Sequence, residues 1–263
     1  MNFQHYKIPM NKINVFKTTK EFLEFRSTLK DTVGFVPTMG ALHTGHGYLL
    51  QQSARENQST ILSIFVNPTQ FNSSQDFEKY PQTFDNDIIL ANKFGVTAVF
   101  YPSYDHLYPD KYNYKIIENE WTQILCGATR PGHFEGVMTV VMKLLNIIQP
   151  HNAYFGEKDY QQLMIIKQMA EAFFMKTEVV GVPTQRETSG LALSSRNSRL
   201  SDIGLKKASL IFQTLMNSKS AKEAQEILVL NGFTIDYLED YKSRRFVAAF
   251  LEGVRLIDNV ELK

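Results

Sequence analysis

Over the first two-thirds of the chain, short apolar runs alternate with longer segments whose apolar residues recur at helical spacing. Val33 to Thr38 has the length and continuous apolarity of a buried strand, and a helical pattern follows from about Thr44 to Glu56. Thr60 to Pro68 reads as a second strand ended by its proline, Asp85 to Phe94 as a helix, and Val96 to Tyr101 as a third strand. Val137, Val140, Val141, Leu144, Leu145 and Ile148 share one helical face, with Pro150 beyond it. Ala153 to Phe155 is a short strand leading into Gly156. Leu163, Ile166, Ala170 and Phe173 then mark a helix, and Thr177 to Val182 a strand. Repeated strand–helix alternation predicts an α/β fold with a parallel sheet covered on both faces. Ligands of such sheets collect beyond the carboxyl ends of the strands, where His43, Asn67 and Glu157-Lys158-Asp159 would all sit.

The pattern changes after Pro183. A polar stretch, Gln185 to Gly190, gives way to Leu191-Ala192-Leu193-Ser194-Ser195-Arg196-Asn197. Ser201 then starts a helix carrying Leu205, Ala208, Phe212 and Leu215. Ser220-Ala221-Lys222-Glu223 has capping-box spacing and opens a helix that Gly232 closes. Strand-like runs at Phe233–Leu238, Phe246–Leu251 and Val254–Ile257 finish the chain. The expected organisation is a catalytic domain over 1–183 and a small α+β lid domain over 184–263, the latter leaning on its neighbour for stability.

The 263 residues are 43% hydrophobic, enough for a substantial core, and carry a net charge of +1 with no lysine- or arginine-dense block. A nucleic-acid surface is therefore not expected. The single cysteine, Cys126, cannot form an internal disulfide, which favours a reducing cytoplasm. Residues 1–7 lack an apolar signal core, and no apolar run reaches membrane-spanning length, so no membrane partner is expected.

Candidate chemistry concentrates where Val33-Gly34-Phe35-Val36-Pro37 runs into Thr38-Met39-Gly40-Ala41-Leu42-His43-Thr44-Gly45-His46. Peptide N–H groups at a helix start attract anions, glycine lets a large anion approach, and two imidazoles could hydrogen-bond a phosphate. Taken singly, either histidine is as readily an ordinary loop residue. Gly156-Glu157-Lys158-Asp159 lies at another strand-to-helix junction, with a lysine to aim at phosphate and Asp159 as a helix cap. Ser194-Ser195-Arg196-Asn197 offers hydroxyls and a guanidinium in a loop flanked by leucines, as a mobile lid would be. Asn67, Gln70 and Gln162 are neutral amides near strand ends or helix starts. Asp85 reads as a helix cap and Asp87 as an indirect magnesium contact. Arg130-Pro131-Gly132-His133 is a turn with two possible anion contacts. The phosphate loop of kinases and the Gly-x-Gly-x-x-Gly dinucleotide fingerprint are both missing.

Taken together, Pro37 to His46, Ser63 to Phe71, Tyr80-Pro81, Arg130 to Val137, Phe155 to Leu163, Val180 to Pro183 and Gly190 to Asn197 closely resemble the pantothenate synthetase (pantoate–β-alanine ligase) family. That family belongs to the His-x-Gly-His nucleotidylyltransferase superfamily. The resemblance implies a Rossmann-like doubly wound sheet and ATP-dependent condensation of (R)-pantoate with β-alanine, through pantoyl adenylate, to pantothenate, AMP and diphosphate. It implies that His46, His43, Lys158 and Arg196 are catalytic, with His46 the proton donor. ATP would be held by Met39, Gly40, Ala41, Leu42, His43, Thr44, Gly45 and His46, by Gly156, Glu157, Lys158 and Asp159, by Gln185, and by Leu193, Ser194, Ser195 and Arg196. Gln70 and Gln162 would bind pantoate, with Gln70 also near β-alanine; Asn67 would belong to the pantoate/β-alanine pocket, and Mg2+ would bridge the phosphates with Asp87 as an indirect contact. A cytoplasmic homodimer is implied as well. Two departures stand out: Gln82 where the family usually has arginine, and Ser189 for a frequent aspartate. Rival readings are a nucleotidylyltransferase with another acceptor and a non-catalytic nucleotide sensor.

Overall fold

The computed structural model describes residues 13–262; the stretch read as lacking a signal core, residues 1–7, lies outside them. In chain order the first elements are β1 (Asn14–Phe16), α1 (Thr19–Thr28), β2 (Val33–Thr38), α2 (Thr44–Glu56), β3 (Ser59–Ile64), α3 (Ser74–Glu78), α4 (Phe84–Lys93) and β4 (Ala98–Phe100). Next come α5 (Tyr104–Leu107), α6 (Leu125–Thr129), α7 (His133–Ile148), β5 (Asn152–Gly156), α8 (Tyr160–Ala172) and β6 (Glu178–Val182). The chain ends with α9 (Asp202–Ala208), α10 (Leu210–Asn217), α11 (Ala221–Leu230), β7 (Thr234–Tyr241), β8 (Arg244–Leu251) and β9 (Val254–Glu261).

Six parallel strands form one sheet in the order β1-β4-β3-β2-β5-β6. Neighbouring residues on a strand point to opposite faces, and both faces are covered, so each strand feeds two cores. Val33, Phe35 and Ile61 enter one with α7 and α8, while Val36 and Leu62 enter the other with Leu50 of α2 and Ala91 of α4. Beyond β2 the chain builds outward through β3 and β4; after α7 it returns to the other side of β2 as β5. The strand order therefore reverses between β2 and β5.

The second sheet, β7-β8-β9, is antiparallel. α10 and α11 bury Ile211, Leu215, Ala224 and Leu228 against Val247, Ala249 and Leu251 of that sheet. Between the two sheets, Trp121 meets Tyr241 edge-on at 5.0 Å, and Asn259 Nδ2 donates to the carbonyls of Glu157 and Lys158 at 2.9 and 3.0 Å.

Several expectations change. The predicted strand Thr60–Pro68 ends at Ile64, because Asn67 accepts the Thr69 N–H and Pro68 starts a 3-10 turn through Gln70. The helix expected from Ser201 is two, α9 and α10, meeting at Ser209, whose hydroxyl donates to the Lys206 carbonyl. Ser201 does cap α9 through the Gly204 N–H. α4 begins one residue earlier than read, and Asp85 is exposed and caps nothing. Asp159 likewise makes no side-chain cap to α8. β7 and β9 run past their apolar cores into polar residues, which the antiparallel ladder still pairs: Glu239 with Phe246, and Glu261 with Arg244. β1 and the capping-box helix α1, opened by Thr18 and Glu21, were not anticipated, since only Phe22 of α1 is buried. Among the described residues, no helix is long and apolar enough to cross a membrane.

Candidate functional site

The strand-order reversal opens a crevice at the carboxyl ends of β2 and β5, the place where open α/β sheets bind ligands. A cavity of about 250 Å³ lies there. It gathers His43 and His46 from the turn after β2, Lys158 from the turn after β5, Gln70 after β3, and Arg196 from the loop after β6. Residues up to 153 positions apart thus face one space.

Local sequence builds the first wall. Gly40 and Ala41 both take left-handed backbone, at φ 80° and 51°. That conformation costs energy at alanine and is held by Asp87, whose carboxylate accepts the Ala41 and Leu42 N–H groups at 3.0 and 2.8 Å. Asp87 also accepts the Thr83 hydroxyl and is buried outside the cavity. It shapes the histidine loop, its oxygens taken up by two backbone N–H groups and a hydroxyl. Among the described residues, no group of three His, Cys, Asp or Glu could hold a metal ion.

His43 is the N-cap of α2, and its Nδ1 accepts the Gly45 N–H at 3.1 Å; His46 Nδ1 in turn accepts the His43 N–H at 3.2 Å. A Cβ on residue 45 would lie 2.7 Å from the His43 ring, so glycine there permits the cap. The rings sit 4.1 Å apart. Accepting at Nδ1 places the proton of each neutral ring on Nε2. Burial, then the Lys158 charge, lowers the His43 pKa to about 4; burial, then His43 and Lys158, lowers that of His46 to about 3. At neutral pH the pair is two uncharged N–H donors.

The opposite wall comes from the loop between β6 and α9, which the small sheet holds through Asp258. The Leu193 N–H donates to the Gln185 carbonyl, and the Gln185 N–H has no partner among the described residues. Arg186 is held by both Asp258 oxygens at 2.6 and 2.8 Å and lies over the Phe212 ring. Ser194 caps a 3-10 turn by accepting the Arg196 N–H, and Arg196 reaches Asp76 at 3.5 Å. Among the described residues the only carboxylate near Lys158 is that of Asp159, 4.0 Å away.

The third wall holds the amides. Asn67 is saturated: its Nδ2 donates to Gln70 Oε1 and the Gly136 carbonyl, and its Oδ1 accepts from Thr69 and Tyr108. It positions Gln70, and with both Nδ2 hydrogens engaged it lines the cavity beside that glutamine. Gln70 spends one contact on Met39 Sδ, at 3.3 Å; Gln162 makes no hydrogen bond among the described residues. Beside them Phe65, Val140, Val141, Leu144 and Phe155 form an apolar wall. The face of α7 is legible as apolar but indistinguishable from core, because a cavity-lining valine and a core valine obey the same period.

Met39, Gly45, Gly156, Asp159, Gln185, Leu193, Ser194 and Ser195 also line the cavity. Gly40, Ala41, Leu42, Thr44 and Glu157 do not. The first three are turned toward Asp87, Thr44 is exposed on α2, and the Glu157 carboxylate points 4.0 Å from Arg244 on the far side. Tyr80, whose pKa burial raises, lines the cavity beside Arg196, while Gln82 is exposed outside it.

The sequence profile described as Pantoate-beta-alanine ligase matches residues 13–261. A pantothenate synthetase of Bdellovibrio bacteriovorus is 55% identical over 94% of this chain and 99% of its own, and one of Coxiella burnetii is 46% identical over 94% and 96%. Among solved structures, pantoate-beta-alanine ligase from Francisella tularensis, complexed with beta-gamma ATP and β-alanine, superposes with TM-score 0.90 at 41% identity, covering 95% of this chain and 97% of that one. Pantothenate synthetase from Thermus thermophilus gives 0.88 at 38% identity, covering 95% and 99%.

Proposed function

Since the chain belongs to the pantoate-beta-alanine ligase family and so performs ATP-dependent, pantothenate-forming ligation, we propose how its residues divide that work. The observation that carries the proposal is the convergence of two neutral imidazoles, Lys158 and Arg196 on one cavity that also has an amide-lined and an apolar wall. A carboxylate has no good leaving group, and transfer to the α-phosphorus of ATP supplies one. A pantoate carboxylate oxygen forms a bond to that phosphorus, the bond to the bridging oxygen breaks, and diphosphate leaves. The amine of β-alanine, as free base, then bonds to the acyl carbon; AMP leaves with the electron pair and the surplus amine proton goes to solvent.

In this scheme His43 and His46 donate hydrogen bonds from Nε2 to the phosphates, and Lys158 and Arg196 offset the charge building on diphosphate. His46 acts as an uncharged donor, since protonation at pH 7 would have to overcome its lowered pKa. The Gln185 N–H suits an acceptor on adenine. Gln70 and Gln162 receive the hydroxyls of pantoate, and its two methyl groups rest on Phe65, Val140, Val141 and Leu144. Magnesium travels with the phosphates of ATP, and no protein carboxylate is assigned to it. Residues 184–263 serve as the lid, carrying Arg196. A cytoplasmic homodimer belongs to the same proposal, supported by the family membership and by the lone Cys126.

The test is exchange of labelled diphosphate into ATP. Exchange is expected to require pantoate and not β-alanine, and AMP to accumulate once β-alanine is added. His46→Ala should keep its circular dichroism and lose most of the exchange, roughly 10²-fold or more for a removed charge-stabilising donor. Near-normal exchange in that variant, or exchange without pantoate, overturns the scheme.

A further inference from the structure

In the segment Ser194-Ser195-Arg196-Asn197 the first three residues line the cavity and the fourth does not. Asn197 turns beneath the loop and is 8% exposed. Its Nδ2 donates to the Ala192 carbonyl at 3.0 Å. That bond fixes the orientation of the amide, since a flipped one would set oxygen against oxygen. The Asn197 Oδ1 is buried and receives no hydrogen bond among the described residues. A buried amide oxygen without a donor is costly, so a donor is expected in the space it borders.

That space is a hollow of about 20 Å³, lined by Asn197, Ala192, Lys158, Arg196, Arg255 and Asp258 among others. It has room for one water. Three of these residues are cations, and they differ in what they already hold. Arg255 places Nε and Nη2 on Asp236 at 2.9 and 2.7 Å, and Arg196 reaches Asp76 at 3.5 Å. Lys158 is different. Its backbone carbonyl accepts from Asn259, but its ammonium makes no hydrogen bond among the described residues and stands 4.0 Å from Asp159. Lys158 also lines the main cavity, so it forms part of the partition between the phosphate site and the hollow.

A donor without an acceptor and an acceptor without a donor thus border one small space. A water there accepts from Lys158 Nζ, donates to Asn197 Oδ1, and has its second hydrogen for Asp258. The Asp258 carboxylate, holding Arg186 and the Asn259 N–H, keeps a lone pair for it. Three hydrogen bonds are the usual complement of a buried water. An anion is disfavoured by the lone pairs of Oδ1 and Asp258, and a metal ion by the three cations around the same space.

We propose that Asn197 is a positioning residue for Lys158, its Oδ1 holding the ammonium through one water in this hollow. A lysine side chain has four rotatable carbons and no preferred direction of its own. Tethered from below, its charge stays where diphosphate departs, and less reorganisation is left for the moment of reaction. Asn197 follows Arg196 in the chain, so the tether also sets the spacing of the two cations. The inference rests on the ligation reading above and assigns Asn197 to the adenylation half.

The test uses the full chain and pantoate-dependent exchange of labelled diphosphate into ATP, without β-alanine. Asn197→Ala is expected to slow exchange at saturating substrates roughly 10- to 100-fold, the range for a hydrogen bond to a charged group. The pantoate KM should stay within about twofold. Loss of a loop support would slow exchange as well, so the deciding readout is a pair of double-mutant cycles. In a Lys158→Met background Asn197→Ala should cost no more than about twofold further, because the group it positions is gone. In an Arg196→Ala background its full cost should remain. A full cost without Lys158, or none without Arg196, makes Asn197 a support for the loop and overturns the proposal, as does wild-type exchange in Asn197→Ala. Asn197→Asp keeps an acceptor at the hollow and gives up the bond to Ala192; it should exchange faster than Asn197→Ala, and an equal loss also overturns the proposal. Should the alanine variant not fold, a high-resolution crystal structure of the wild-type protein decides. One ordered water within hydrogen-bond distance of both Asn197 Oδ1 and Lys158 Nζ is expected, and an Oδ1 touching no such water overturns the proposal. Failure of the wild-type protein to exchange with pantoate would sink the ligation reading instead; the water beside Asn197 is still read in that case, so the two failures are told apart.

Discussion

At His43 and His46 the backbone decides the chemistry: each Nδ1 is occupied by an N–H, and each ring therefore works as an uncharged Nε2–H donor. Unfolding returns these rings, and His133, to an ordinary pKa of about 6.5. Below that pH the unfolded chain binds protons that the folded chain refuses until about 4 for His43 and about 3 for His46 and His133. Stability is therefore full above about pH 6.5 and falls as pH drops through that window. Urea midpoints compared at about pH 7 and about pH 5 should show the loss, while imidazole NMR finds no titration of these three rings between those values. Asp87→Ala tests the part this buried carboxylate plays in the histidine loop. Leaving the Ala41 and Leu42 N–H groups buried without their acceptor should cost roughly 2–4 kcal/mol. It should also raise the KM for ATP, and added magnesium should rescue neither. Rescue by magnesium would return Asp87 to the metal. The paired histidines were visible in sequence because their spacing is local. Asp87 was not, because it reaches its partners across 45 and 46 residues.

Among the elements, α7 shows how a correct assignment can miss its purpose. Its period predicted a helix with a buried apolar face, and the face is buried. That part of the same face forms a wall of the cavity depends on the turn over Pro68–Gln70, which replaces the end of a predicted strand. The two pack closely enough that a Cβ at Gly136 would lie 2.5 Å from the Thr69 carbonyl oxygen. Gly136→Ala should push that turn off α7 and disturb Asn67 and Gln70 together. We expect both the pantoate and β-alanine KM to rise, with ATP binding changed least; steady-state kinetics on the three substrates check this. Missing β1 and α1 has a similarly plain cause. A three-residue edge strand and a helix with one buried side chain leave too few apolar positions to show a period.

For the whole molecule, the joint between the two sheets is also the joint of the site. Asn259 holds the Glu157 and Lys158 carbonyls, and its neighbour Asp258 pairs with Arg186, next to Gln185 in the chain. Asp258→Asn leaves a partly buried guanidinium without its charge partner and should cost about 3 kcal/mol. The urea midpoint should fall and the KM for ATP rise together; unchanged ATP binding would separate the joint from the site. Alternation of strands and helices, the histidine turn, the Gly156–Asp159 junction and the Ser194–Arg196 loop were all determined by sequence alone, since each is a pattern within one or two turns of backbone. Tertiary structure decided which of those segments meet, that Asp87 holds the Ala41 and Leu42 N–H groups, and that Asn67 positions Gln70. Those outcomes depend on which atoms close in from distant segments, and no periodicity in a single chain records the far partner of a hydrogen bond.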